Sequence, residues 1–198
     1  MGLTYANTAA TTAAVTNRFV ASTNMVVGTY TIANASPVWG GGCLVTITHT
    51  AAGAADTLGT ITIVGTGITG EAISETITPL SGTVATSTKI FRTVVSATGA
   101  GWVISAGNDT IVIGCAAGNY VAGSSGSLGG ILVNNAVAAA IVISDARGTI
   151  VTVPASQAAG TYYNLQGVDY VGFLKVATTS TNDVTVFHSG TIPSFATA

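Results

Sequence analysis

Val45-Thr46-Ile47-Thr48-His49-Thr50 is the stretch that decides the fold. Val45, Ile47 and His49 alternate with three threonines, and a period of two belongs to a strand whose successive side chains point to opposite faces. The same period returns in Ile61 and Ile63 against Thr60 and Thr62, and in Ile73, Glu75 and Ile77 against Ser74, Thr76 and Thr78. Thr110-Ile-Val-Ile113, Ala140-Ile-Val-Ile143, Thr149-Ile-Val-Thr-Val153 and Val184-Thr-Val-Phe187 share its β-branched character, which suits a pleated, half-buried surface. Between these runs stand turn signals: Gly40-Gly-Gly42, Gly65-Thr-Gly67, Gly107-Asn-Asp109, Ala146-Arg-Gly148 and Thr181-Asn-Asp183. Short strands separated by regular turns predict an all-β protein. The nearest approach to a helix, residues 7–20, is weakened by its threonines.

The architecture expected is two small β-sandwich or jelly-roll-like domains with an extended N-terminal arm. Residues 1–24 hold Thr, Ala and Asn with one charge, Arg18, and read as the arm. The first β-sandwich domain is expected over 25–117 and the second β domain over 127–198. Gly118-Asn-Tyr-Val-Ala-Gly-Ser-Ser-Gly is small and polar, so 118–126 reads as the linker. Asn108-Asp109 and Asn182-Asp183 each precede a strand near the end of their block, a short echo that does not establish a duplication.

Charge is scarce. Only 6% of the 198 residues are charged, against about 25% in ordinary domains. Charged side chains keep folded domains apart, so this surface is expected to be covered by copies of the chain or by a partner. The mean hydropathy of +0.62 would suit a membrane protein, but the longest apolar run, 136–143, is far short of the ~20 residues a spanning helix needs. Aromatics at 7% are few for the girdles of an outer-membrane barrel. The first residues, Met1-Gly-Leu-Thr-Tyr, show no basic and apolar leader, so synthesis in the cytoplasm is expected. Five basic residues and a net charge of −2 disfavour nucleic-acid binding.

The residues that carry chemistry do not form a motif. Cys43 and Cys115 lack a CxxC or Cys/His spacing and read as buried thiols used as small hydrophobes. His49 lies on the apolar phase of its strand, as a core or interface histidine would, whereas His188 ends a strand and is expected to be exposed. Neither adjoins a nucleophile motif. Glu71 and Glu75, about 13 Å apart at the rise of a strand, are too distant to share a proton and read as residues flanking a turn at Gly70. Asp56, Asp109 and Asp183 could join a calcium site only with backbone carbonyls, for no DxDxDG loop exists. There is no Walker motif. The sequons at Asn34 and Asn108 are uninformative. Tyr162, Tyr163, Tyr170 and Phe173, with Trp39 and Trp102, read mainly as core; a shallow glycan-binding surface is the alternative. No catalytic, cofactor-binding or metal residue is expected, and no cofactor.

The stretch from Gly53 through Thr57-Leu-Gly-Thr-Ile-Thr-Ile-Val64 to Ser74-Glu-Thr-Ile77, followed by Lys89-Ile-Phe-Arg92, Gly101-Trp102 and Asp109-Thr-Ile-Val-Ile-Gly114, resembles β modules of tailed-bacteriophage virion proteins. Gly129-Gly-Ile-Leu-Val133, Ile141-Val-Ile-Ser-Asp145 and Asp183-Val-Thr-Val186 resemble the compact β-domains of phage head decoration and fibre proteins. The resemblance implies a capsid decoration, or cement, protein with no catalytic motif. It would be made in the host cytoplasm and located in the virion. Its partners would be the major capsid protein and itself as a homotrimer, matching threefold positions of an icosahedral shell, with no nucleic acid and no membrane. A neck, tail or fibre component and a glycan-binding adhesin-like module are the other readings.

Overall fold

The computed structural model describes residues 4–8, as backbone, and 13–52, 57–104 and 108–189. It is all-β, 64% strand and 2% helix, so every layer is a sheet. In chain order the strands are β1 (Thr4–Thr8), β2 (Val15–Asn24), β3 (Thr29–Tyr30), β4 (Cys43–Thr50), β5 (Thr57–Gly67), β6 (Ala72–Ile77), β7 (Val84–Val103) and β8 (Thr110–Cys115). They continue as β9 (Asn119–Ala122), β10 (Gly126–Val133), β11 (Ile141–Asp145), β12 (Gly148–Val153), β13 (Tyr162–Tyr170), β14 (Leu174–Thr178) and β15 (Val184–Ser189). The chain divides into two compact units, one of Met1–Ala13, Trp39–Gly41 and Ala117–Ala198, the other of Ala14–Val38 and Gly42–Ala116.

The first unit is a sandwich of two four-stranded antiparallel sheets, ordered β1-β15-β10-β13 and β12-β11-β14-β9. Each strand from β9 to β13 is followed by one in the opposite sheet or by a hairpin partner, and β1 lies beside the last strand, β15. This is the strand order of an eight-stranded jelly roll, two interlocked Greek keys. The alternation in the sequence sets its inner faces: Val184 and Val186 of β15 and Ile141 and Ile143 of β11 point inward. They meet Leu128, Ile131, Tyr170, Leu174 and Val176 in one apolar core. The β11–β12 hairpin turns at Ala146-Arg147, where Gly148 takes φ +135°, a conformation that side chains resist.

The second unit is inserted between the first and second strands of that jelly roll. Its sheet has the order β2-β8-β4-β7-β5-β6, with β3 also on β7. The 20-residue β7 organises it. Its first half, from Val84 to Phe91, pairs with β4, and its second half, from Phe91 to Val103, pairs with β5. Where β5 ends, the Glu75 carboxylate of β6 accepts from the Thr88 and Lys89 amides at 2.8 and 2.9 Å, which satisfies the edge that β5 leaves open. Phe19, Met25, Ile47, Ile61, Ile63, Phe91, Ile111 and Ile113 are wholly buried and form its interior.

Four expectations change. The arm expected over 1–24 gives way, in its described residues, to strands: 4–8 form the first jelly-roll strand and 15–24 pair with β8. Of the 7–20 helix candidate, 7–8 and 15–20 lie on these two strands, where β-branched residues suit a paired strand, and 9–12 lie outside the described residues. The segment 118–126 is no linker, since β9 lies within it and Asn119, Tyr120 and Ala122 are buried; the boundary falls at residues 116 and 117. Gly67 ends β5 as a turn residue would, but Gly65 ends no strand. It lies inside β5, at a bulge against β7, where a Cβ would strike the Thr93 carbonyl oxygen. Among the described residues no helix is long and apolar enough to cross a membrane.

Candidate functional sites

His49 and Asp109 form a wholly buried pair, with His49 Nε2 2.6 Å from Asp109 Oδ2. Register explains it: His49 faces Ile111 across β4 and β8, which leaves Asp109, two residues before Ile111, on the same face. Asp109 Oδ1 accepts from the Ala52 amide at 2.9 Å. A carboxylate can only accept, so the network assigns the proton to Nε2. Nδ1 has no hydrogen-bond partner among the described residues. Nδ1, the nitrogen left to act as a base, thus meets no hydroxyl among the described residues.

His188 is the converse. It lies on the inward phase of β15 with Val184 and Val186 and is wholly buried, so the expectation of an exposed strand end fails. The strand runs two residues further than the sequence pattern suggested, through Ser189, and the phase of His188 points to the core. Its Nδ1 is 3.3 Å from the Tyr170 hydroxyl, which also donates to the Ser189 carbonyl at 3.3 Å. Burial pushes the imidazole below its usual range and the Tyr170 phenol up to about 12. A histidine and a hydroxyl thus meet in the jelly-roll core.

The most charged locality is on the jelly roll, at the β11–β12 turn. Asp145 Oδ1 accepts from the Arg147 amide at 2.8 Å, and Oδ2 accepts from Arg147 Nε and the Val171 amide, each at 2.9 Å. The Arg147 side chain is 59% exposed and its Nη2 donates to the Asp169 carbonyl at 2.5 Å. Asp169 in turn accepts from the Ser127 hydroxyl at 2.7 Å. Burial pushes Asp145 up, but the Arg147 hydrogen bond, the two amides and the Arg147 charge outweigh it and hold the carboxyl at about 2. A shallow cleft of about 220 Å³ opens beside these residues, lined also by Thr149, Ile150 and Val168. The Asp145 bonds fix the turn and tie it to Val171, while the Ser127–Asp169 bond joins β10 to β13.

The remaining sequence candidates are dispersed. Glu71 accepts from the Thr69 amide and hydroxyl in the β5–β6 turn, while Glu75 accepts from the Thr88 and Lys89 amides within β7. Asp183 accepts from Asn134 Nδ2 at 2.7 Å, and Asp56 lies outside the described residues. Among the described residues, no three His, Cys, Asp or Glu side chains converge as metal ligands would. The echoed Asn-Asp turns also differ: Asp109 is the buried member of one and Asn182 of the other, where Asn182 Oδ1 accepts from the Ala138 amide. Of the aromatics, Trp39, Tyr120 and Tyr170 are buried, Trp102, Tyr163 and Phe173 are half-buried, and Tyr162 is 52% exposed with its ring edge-on to Phe187. Cys43 and Cys115, 72 residues apart, bring their sulfurs to 2.9 Å in the interior of the insert, a juxtaposition that no local spacing could signal.

Polar chemistry is thus inward or local, and the outward sheet faces carry long neutral rows, with Lys89 on β7 and Lys175 on β14 as charges on the same sheets. On the insert, register aligns Thr29, Thr98, Thr62 and Thr76 in one row across four strands. Ser96, Val64 and Ser74 make the next row, and Ala100 and Thr60 another. Val95, the extra residue of the bulge beside Val64, is 68% exposed. On the jelly roll, Thr185, Leu132 and Tyr162 are cross-strand neighbours and Phe187 packs on Tyr162. On its other sheet Thr152, Val142 and Ala177 align, with Lys175 at the next step. The chain matches no protein-family model, no curated protein and no solved structure.

Proposed function

We propose that this chain is a structural virion protein that decorates and stabilises an assembled phage capsid, binding the major capsid protein and copies of itself as a homotrimer. The observation that carries the reading is the pairing of a jelly-roll unit with outward sheet rows of hydroxyl, alanine and valine side chains that bear no charge. Jelly rolls recur in viral capsid and lectin domains, a likeness of fold that supports the reading by analogy. The neutral faces support it by physics. Hydroxyl, alanine and valine side chains lose little on leaving water when covered by a matching face, and two copies meet without like-charge repulsion. Bound at many equivalent sites, such a protein stabilises the shell by mass action.

The test is an electron-microscopy map of labelled particles from cells that make the protein. Many regularly spaced copies on the shell support decoration; a few copies at one vertex or along a tail assign it to the neck, tail or fibre; absence from particles refutes the virion reading. The exposed Tyr162 and the lectin jelly rolls favour a second reading, a glycan-binding module. Sugar-dependent quenching of tyrosine fluorescence, lost in Tyr162→Ala, would select it.

A further inference from the structure

Cys43 begins β4 and Cys115 ends β8, and these two strands are neighbours in the insert's sheet. Val45 stands opposite Cys115, so Cys43 is its diagonal neighbour on the same face. Both side chains point into the interior, neither exposes any surface, and their sulfurs are 2.9 Å apart. A disulfide bond is about 2.05 Å long. Less than an ångström of approach separates the observed contact from a covalent bond.

We infer that Cys43 and Cys115 form an intrachain disulfide when the chain folds in the presence of a low-molecular-weight disulfide such as oxidised glutathione. The thiolate of one cysteine attacks a glutathione sulfur and expels one glutathione thiolate, leaving a mixed disulfide. The second cysteine then attacks the protein sulfur of that mixed disulfide and expels the second glutathione thiolate. Two protein thiols and one glutathione disulfide become one protein disulfide and two glutathione thiols, so no other electron acceptor is needed.

Burial decides when this happens. In the folded insert neither sulfur meets solvent, and the hydrogen bond to Cys115 together with burial holds the Cys43 thiol protonated, above its usual range. Exchange therefore runs while β4 and β8 are apart, during folding or transient opening. Once made, the bond is sealed from reductants by the same packing. It ties together strands 72 residues apart in the chain, with β5, β6 and β7 in the loop it closes, and so constrains the unfolded insert far more than the folded one.

The experiment refolds the full chain with reduced and oxidised glutathione, then alkylates it in denaturant and maps tryptic peptides by mass. Cleavage after Lys89 and Arg92 puts the two cysteines on different peptides. The expected result is a linked Cys43–Cys115 peptide pair and no alkylated cysteine. Reduction by dithiothreitol should be at least about tenfold slower in the native protein than in denaturant, and the urea midpoint should fall after reduction. Two alkylated cysteines per chain, or glutathione adducts in place of the linked pair, would overturn the inference. Cys43→Ser and Cys115→Ser should each abolish the linked pair and the reductant-sensitive part of the midpoint; if either fails to fold, the wild-type peptide map still decides.

Discussion

Replacing Asp109 by alanine tests the buried pair that joins β4 to β8. The carboxylate accepts from His49 Nε2 at 2.6 Å and from the Ala52 amide at 2.9 Å, and neither Asp109 nor His49 is open to water. Asp109→Ala leaves a buried imidazole N–H and an amide without their acceptor. Removing one member of a buried hydrogen-bonded pair costs about 3–5 kcal/mol, a large share of the ~5–15 kcal/mol that holds a typical domain folded. At about 2–4 °C per kcal/mol for a chain of this size, the melting midpoint should drop by about 10 °C. Asp109→Asn keeps an acceptor and the shape, so about 1–2 kcal/mol is expected. The double change His49→Leu with Asp109→Leu removes both polar groups together and should be less damaging than Asp109→Ala alone. Urea titration followed by Trp102 fluorescence in a Trp39→Phe background reports on the insert, because Trp102 belongs to it and Trp39 packs with the jelly roll. A loss below about 1 kcal/mol for Asp109→Ala would refute the reasoning, since it would mean that the pair is hydrated or that its bonds contribute nothing net.

Other consequences reach both units. Asp145 sits at about 2 against an ordinary 3.8, so its contribution is present above pH 4 and is lost as pH falls towards 2; melts across that window should flatten in Asp145→Asn. His188, held below its ordinary 6.5 by burial, favours the neutral form, so the jelly roll should weaken as pH falls below about 6.5. His188→Phe should remove that dependence, as read by near-ultraviolet circular dichroism. Gly65→Ala puts a methyl against the Thr93 carbonyl of β7 and should cost about 1–3 kcal/mol in urea titration through overpacking at the bulge. Gly82→Ala, with φ +69° and open space at its Cβ, should cost less, by the strain of that conformation alone.

The alternation at Val45–Thr50, Ile61–Ile63, Ile73–Ile77 and Val184–Phe187 revealed the strands because each buries one face, and a period of two is what half-burial writes into a sequence. The Ala146-Arg-Gly148 turn was equally legible, since Gly148 takes the positive φ that its hairpin requires. What could not be read was pairing at a distance. Thr4–Thr8 finds its partner in β15, nearly the whole chain away, and nothing local distinguishes an edge strand of a jelly roll from an arm. Gly118 to Gly126 looked like a linker because glycine and serine are frequent there, yet the burial of Asn119 and Tyr120 comes from tertiary packing. The meetings of His49 with Asp109, His188 with Tyr170 and Cys43 with Cys115 depend on register, which composition does not carry.

The claim that the neutral faces are covered by neighbouring copies is tested most directly by sedimentation velocity of the intact chain at micromolar concentration. The variants Thr62→Asp and Val64→Asp, which place a charge in the centre of the insert's neutral rows, are run beside it. The account predicts that the wild type sediments as a homotrimer and that at least one variant shifts to the 19.5 kDa monomer while keeping its circular dichroism spectrum. A wild-type chain that sediments as a stable 19.5 kDa monomer, with both variants indistinguishable from it, would contradict the account.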